Sequence, residues 1–254
     1  MNGDDMPKTN REILQGIERL QNTKGWQVRD KMYKLDTSFY VFNVNHNDLI
    51  EIIRIFQRPD ISMAMLRAAA NRQYYEKLRP VFKEVVRRLH NFVASAVTLV
   101  EHTRIIAREL YTETEFMNEY DQQIAERFVN NPIVQFVHKL RNYILHRDLP
   151  VTSAQFTFDA NATEVNNSVV IDIEELRKWD GWNPVSRKFI EHAARDEKLE
   201  DIVKSYTSII VDFHQWFHQK QLELHREDFG EMEELRRNLR REAGLPDDTE
   251  SNDI

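Results

Sequence analysis

The residues best suited to chemistry lie close together in one stretch, from His138-Lys-Leu-Arg-Asn to Tyr-Ile-Leu-His-Arg-Asp-Leu-Pro150. Arg141 offers a permanent planar cation that matches a phosphate. The His146 imidazole can accept and donate protons. Asn142 can orient either a phosphate or the imidazole. Together these three form a candidate catalytic set, with Lys139, His138 and Arg147 as candidate substrate-binding residues around them. Such a set can cleave RNA without metal: one group helps a 2′-hydroxyl attack the adjacent phosphate, and the cation steadies the developing charge.

Spacing alone carries little weight. With 23 Arg and 9 His in 254 residues, about one Arg-x4-His pair arises by chance. The chain holds two, Arg141/His146 and Arg187/His192. Context separates them. The first has a polar Asn directly after Arg, lies late in an amphipathic segment and is closed by Asp-Leu-Pro.

Asn131 can cap that segment and Pro132 fits a first helical position, so a helix is predicted from Pro132 to about Arg147, with Pro150 preventing much continuation. Ile133, Val137, Leu140 and Ile144 form its apolar stripe, with Phe136 and Tyr143 on the edge. Gln135, His138, Lys139, Arg141, Asn142 and His146 take the other side. Val134 and Leu145 share that polar sector, where a solvated face would not need them; a face pressed against another subunit would. The plain alternative is a solvated polar face with Arg141 ion-paired to Asp148 or Glu126.

The rest of the chain reads as mainly α, a helical bundle of four to five principal helices with an inserted β-hairpin. A short helix is expected over 11–22. Residues 25–45 read as a packed loop or strand pair, and Asn47 as the cap of a helix to Gln57. Arg58-Pro59 breaks it, and Asp60 or Ser62 caps a segment to Leu78. Pro80 opens a long helix to Tyr111, and another runs from Phe116 to Val129. Gln155–Phe158 and Ser168–Asp172 alternate as hairpin strands, with a turn at 159–164. Trp179, Gly181, Trp182 and Pro184 mark a loop before a short helix to Ala194. A second long helix spans 197–224, Gly230 breaks the chain, and a charged helix over 231–243 precedes a disordered tail.

Composition bounds function. There is no cysteine, which excludes disulfides, thiolate nucleophiles and Cys-based zinc sites. No stretch approaches the roughly 20 apolar residues of a membrane span, and Met1–Asn10 has no apolar signal core, so a cytoplasmic protein without membrane partners is expected. Net charge is −7, unlike a general nucleic-acid coat. Yet residues 67–90 carry seven cations against Glu76 and Glu84, and 227–254 carry ten acids against four Arg. His214, His218 and His225 fall on one side of the last long helix, but no matching acid is obvious there. His138 and His102 also read as structural, and the Trp residues as packing. No Gly-rich phosphate loop, Ser-centred elbow or paired-carboxylate motif is visible, and neither metal nor cofactor is expected.

Arg141-Asn142-Tyr-Ile-Leu-His146 resembles the Arg-polar-x3-His motif of HEPN domains. Leu89-His-Asn-Phe-Val-Ala-Ser-Ala-Val-Thr-Leu-Val-Glu-His-Thr-Arg104 resembles the first long helix of a bacterial HEPN branch. Asp201-Ile-Val-Lys-Ser-Tyr-Thr-Ser-Ile-Ile-Val-Asp-Phe-His-Gln-Trp216 is similar to its last helix. The resemblance covers about 75–225 and divides the chain into an accessory segment 1–74, an HEPN-like bundle 75–225 with the hairpin inserted at 155–172, and a charged helix with acidic tail at 226–254. It implies a homodimer with a composite site, and a ribonuclease of toxin–antitoxin or phage-defence type. On that basis Arg141 polarises the phosphate, His146 is the acid/base and Asn142 supports both; an antitoxin or regulatory protein is a further expected partner. Two alternatives stand beside it: a non-catalytic HEPN module that binds RNA or protein, and a helical scaffold whose acidic tail contacts a partner.

Overall fold

The computed structural model describes residues 10–69, 72–150, 152–158 and 165–246. Its elements in chain order are α1 (Asn10–Gln21), α2 (Lys24–Gln57), α3 (Pro59–Ala69), α4 (Arg72–Tyr111), α5 (Glu115–Ile124), a π turn (Ala125–Val129) and α6 (Pro132–His146), followed by β1 (Thr152–Phe158), β2 (Val165–Asp172), α7 (Ile173–Arg177), α8 (Pro184–His192), β3 (Asp196–Lys198), α9 (Leu199–Leu224) and α10 (Arg226–Glu242). The chain is mainly helical with a small antiparallel sheet, the expected class. The hairpin turn at 159–164 and the tail from 247 lie outside the described residues.

Several boundaries differ from the expectation, each for a physical reason. Residues 25–45 are neither loop nor strand but the first half of α2. Val28, Met32, Leu35, Phe42, Leu49, Ile53 and Phe56 are buried along it, with Phe39 and His46 completing steps of three and four. That is a continuous helical stripe, so Asn47 caps nothing. Pro80 does not open α4 but sits inside it. It lies on an exposed side of the helix, where water can satisfy the carbonyl that loses its donor. Gly230 does not interrupt α10. The break falls at His225, which has non-helical dihedrals (φ −110, ψ 21), and Gly230 has open space around its Cα.

The described chain divides into two units. The larger spans 37–214. In it α2 and α4 run antiparallel: Ser38 meets His102, Phe42 packs on Phe92 and Arg88 reaches the carbonyl of Asp48. Tyr206, Phe92, Leu89, Ile53 and Leu140 are among its fully buried side chains. The sheet order is β1-β2-β3, antiparallel throughout, with Thr152 opposite Ile171 and Ile171 opposite Glu197. β3 was not foreseen; it makes β2 a central strand. Val169, Val170 and Ile171 are all buried, so both faces of β2 are covered there, where a one-sided hairpin would bury alternate residues.

The smaller unit joins 1–36 to 215–254, so the two ends, expected as separate segments, belong together. Leu20, Met232 and Leu239 form its core, with Trp26, Phe229 and Leu235 packed against them. Gly25 is required there: a Cβ would lie 2.3 Å from the Asp228 carbonyl oxygen. Arg29 pairs with Glu233 at 3.1 Å and stacks over Trp26.

Candidate functional site

The helix that carries the motif is fixed from its start. Asn131 caps α6, its side-chain oxygen accepting from the N–H groups of Ile133 (3.2 Å) and Val134 (3.4 Å), and Pro132 occupies the first turn. Gln135 ties this end to its surroundings: its amide donates to the Phe128 carbonyl at 3.0 Å, and its side-chain oxygen accepts from Asn183 at 2.7 Å. Asn183 is itself the cap of α8. Neither Gln135 nor Asn183 was singled out from sequence; a polar residue one turn after a cap was the available signal. Further along, Phe136 packs between Trp182 and Phe189, and Tyr143 between Trp179 and Trp182. Trp182 is held by donating from its indole N–H to the Leu176 carbonyl at 2.7 Å.

The covering of α6 changes along its length. In the first half, both sides of the helix are enclosed. Val134 is fully buried within this chain, so it gives no support to a subunit interface, contrary to the reading from the sequence pattern. His138 occupies the same sector and is turned inward. Its Nε2 lies 3.0 Å from the Tyr206 hydroxyl, with the rings of Phe128 and Tyr206 beside it. Burial pushes its pKa down to about 4, so the ring is neutral near pH 7. His138, expected among the substrate-binding residues, is half-buried and its ring is engaged by Tyr206.

Past His138 the enclosure ends. Arg141, Leu145 and His146 are exposed, Asn142 half-buried, and Arg147 exposed at the C-cap; Lys139 is half-buried. Leu145 is 49% exposed and Leu149 53%. Arg141 and His146 stand about 140° apart around the helix and about 7.5 Å apart along it, with Leu145 and Asn142 between them in angle. Among the described residues, no hydrogen bond or ion pair engages the side chains of Arg141, Asn142 or His146. The ion pairs expected of Arg141 do not form: Asp148 accepts from the Leu149 N–H, and Glu126 from Gln122. Tyr143 anchors this end from below. Burial, reinforced by the nearby Asp148 and Glu175 carboxylates, pushes its phenol pKa up.

Elsewhere the expected features resolve into structure. Of the cations over 67–90, Arg87 and Arg88 both bind Glu84, Arg88 also reaches Glu51, and Arg79 pairs with Glu76. These partners hold Glu84 well below the usual carboxylate range. The side chains of Arg72 and Lys77 lie outside the described residues. His214 stacks on Phe39 at 3.9 Å, and His225 contacts Asp228 at 2.6 Å. Among the described residues no cluster of three or more His, Asp or Glu is arranged to hold a metal ion, and no helix is long and apolar enough to cross a membrane. Comparison with family models, curated proteins and solved structures finds no match to this chain.

Proposed function

We propose that this protein is a metal-independent endoribonuclease of HEPN type, acting as a homodimer in which two α6 faces form a composite site. The observation that carries the reading is the state of Arg141, Asn142 and His146. They share the solvent-facing side of the last turns of α6, and no described residue engages their side chains. Polar groups held ready on a rigid helix suit a ligand.

The chemistry follows from the groups. A neutral His146 takes the proton of a ribose 2′-hydroxyl, whose oxygen attacks the adjacent phosphorus. Arg141 binds the non-bridging oxygens as charge accumulates, and Asn142 donates to the same phosphate. The 5′-oxygen leaves and must receive a proton. In-line displacement puts that oxygen opposite the attacking one, so a base and an acid are needed on two sides. One chain offers a single exposed histidine at this face. A second copy related by a two-fold axis supplies the other, and its Leu145 and Leu149 give exposed apolar surface for the contact. The products are a 2′,3′-cyclic phosphate and a 5′-hydroxyl. A toxin or phage-defence role, restrained by an antitoxin or regulatory protein, fits such an activity.

The test is cleavage of a mixed RNA pool by the wild-type protein and by the Arg141→Ala/His146→Ala variant, with EDTA present. Cleavage by wild type alone, leaving cyclic phosphate ends, is the expected result. Cleavage that EDTA abolishes and added metal restores would reject the mechanism. Binding of the pool by wild type with no cleavage would favour the non-catalytic module instead.

A further inference from the structure

Along the second half of α2, between His46 and Arg58, the helix borders a cavity of about 450 Å³. At 100° per residue, Asn47, Arg54 and Arg58 fall within about 40° of one another and form one row along the helix. Ile50 and Ile55 flank the row on either side. Three carboxylates near it are already engaged. Glu51 accepts from Arg88 at 3.3 Å, and Asp60 accepts from Arg58 through both oxygens at 3.1 and 2.9 Å. Glu200, which senses the charge of Arg54, is held by Lys204 and Gln57 at 2.7 Å each. Among the described residues no hydrogen bond or ion pair engages the Arg54 side chain. Arg58 meets Asp60 through Nε and Nη2, which leaves Nη1. His46 Nδ1 lies 3.2 Å from the Asn47 side-chain oxygen, which leaves the Asn47 amide nitrogen to donate. The row thus presents donors and positive charge, and two guanidiniums one turn apart repel each other unless an anion lies between them.

We propose that this row binds a phosphate monoester of the nucleoside monophosphate class, with Arg54 and Arg58 Nη1 on the phosphate and Asn47 on a polar group at the far end. A monoester is largely a dianion at pH 7, its second pKa being about 6. Its three terminal oxygens can take donors from both guanidiniums. A carboxylate brings one charge and two oxygens, which a single guanidinium satisfies. Arg54 and Asn47 stand about 10 Å apart along α2, so the second polar contact falls roughly a nucleoside's length from the phosphate. Ile50 and Ile55 give apolar surface to the sugar and ring between them. The cavity lies within the range of small-ligand sites, roughly 300–1,000 Å³. The site holds its ligand without changing a bond. It is separate from α6 and does not rest on the ribonuclease reading.

The test is calorimetric titration of the full chain with adenosine 5′-monophosphate, beside adenosine, inorganic phosphate and the methyl phosphodiester of the same nucleotide. One nucleotide per chain is expected, with the diester and inorganic phosphate weaker and adenosine not bound. Arg54→Ala should lower the affinity by about 10- to 100-fold. Arg54→Lys should lower it less, since it keeps the charge and loses the planar fork. Arg237→Ala, which removes an exposed arginine elsewhere, should leave it unchanged. Arg54 is exposed, so the melting temperatures of its variants should match wild type. No saturable binding of the nucleotide would overturn the proposal, as would equal binding of adenosine or an equal loss in Arg237→Ala. Equal affinity for the diester would overturn the monoester assignment, and equal affinity for inorganic phosphate the contact at Asn47.

Discussion

Arg141/His146 on α6 and Arg187/His192 on α8 have the same spacing in the same chain, and the fold uses them differently. Arg187 donates to the carbonyls of Trp182 and Asp180 at 3.3 and 3.2 Å, and His192 Nδ1 lies 2.6 Å from the Lys188 carbonyl. The α8 pair thus closes a loop and finishes a short helix. The α6 pair meets no described partner. Spacing places two groups on one helix; whether they remain available depends on where nearby carbonyls and carboxylates point. Near α8 the Trp179–Pro184 loop brings carbonyls within reach. Near the end of α6 the two carboxylates that could compete are engaged elsewhere, Asp148 by the Leu149 N–H and Glu126 by Gln122.

The comparison is sharpest at the reacting groups. His146→Ala is expected to lower RNA cleavage by about 10²–10⁴-fold while unfolding free energy shifts by less than about 0.5 kcal/mol, read from initial rates and urea melts. A large stability loss would make His146 structural, like His192.

The wall shared by the two helices comes next. Phe136→Ala removes a fully buried ring that touches both Trp182 and Phe189. It is expected to cost about 3–5 kcal/mol and to lower cleavage only through loss of fold, as activity per folded molecule would show.

His138 separates the two halves of α6. Its folded pKa, about 4, lies below its ordinary 6.5, so the unfolded chain takes up the proton first. Its stabilising contribution is full above about pH 6.5 and is lost as pH falls toward 4, by up to about 3 kcal/mol. Denaturant midpoints between pH 7 and 4 should show this slope, and His138→Gln should flatten it. An unchanged slope in that variant would place the acid sensitivity elsewhere.

The smallest effect belongs to α8. Arg187→Ala loses two hydrogen bonds at an exposed site and is expected to cost about 1 kcal/mol with cleavage unchanged. Reduced cleavage at equal stability would give the α8 pair a part in the reaction.

How much was legible in the sequence depended on whether the signal was local. Asn131-Pro132 and Pro150 marked the limits of α6 because caps and breakers act within one turn. The hairpin strands were readable from their β-branched and aromatic residues, whereas the three-residue β3 has no pattern long enough to show. In α2, the stripe from Val28 to Phe56 was present but masked by Asn and aromatic residues that lower helix propensity, and packing overrode them. Which side of α6 would be covered was not legible. Val134 and Leu145 look equivalent on a wheel, yet one is fully buried and the other 49% exposed. Tyr206 and Phe128 meet His138, whereas Arg141, Asn142 and His146 meet no described partner.

The most direct test sets the two pairs against each other. Arg141→Ala/His146→Ala and Arg187→Ala/His192→Ala are compared with wild type for cleavage of one RNA and for melting temperature, in EDTA. The α6 variant is expected to lose cleavage at an unchanged melting temperature, and the α8 variant to keep cleavage while melting earlier. Wild-type cleavage by the α6 variant would contradict it.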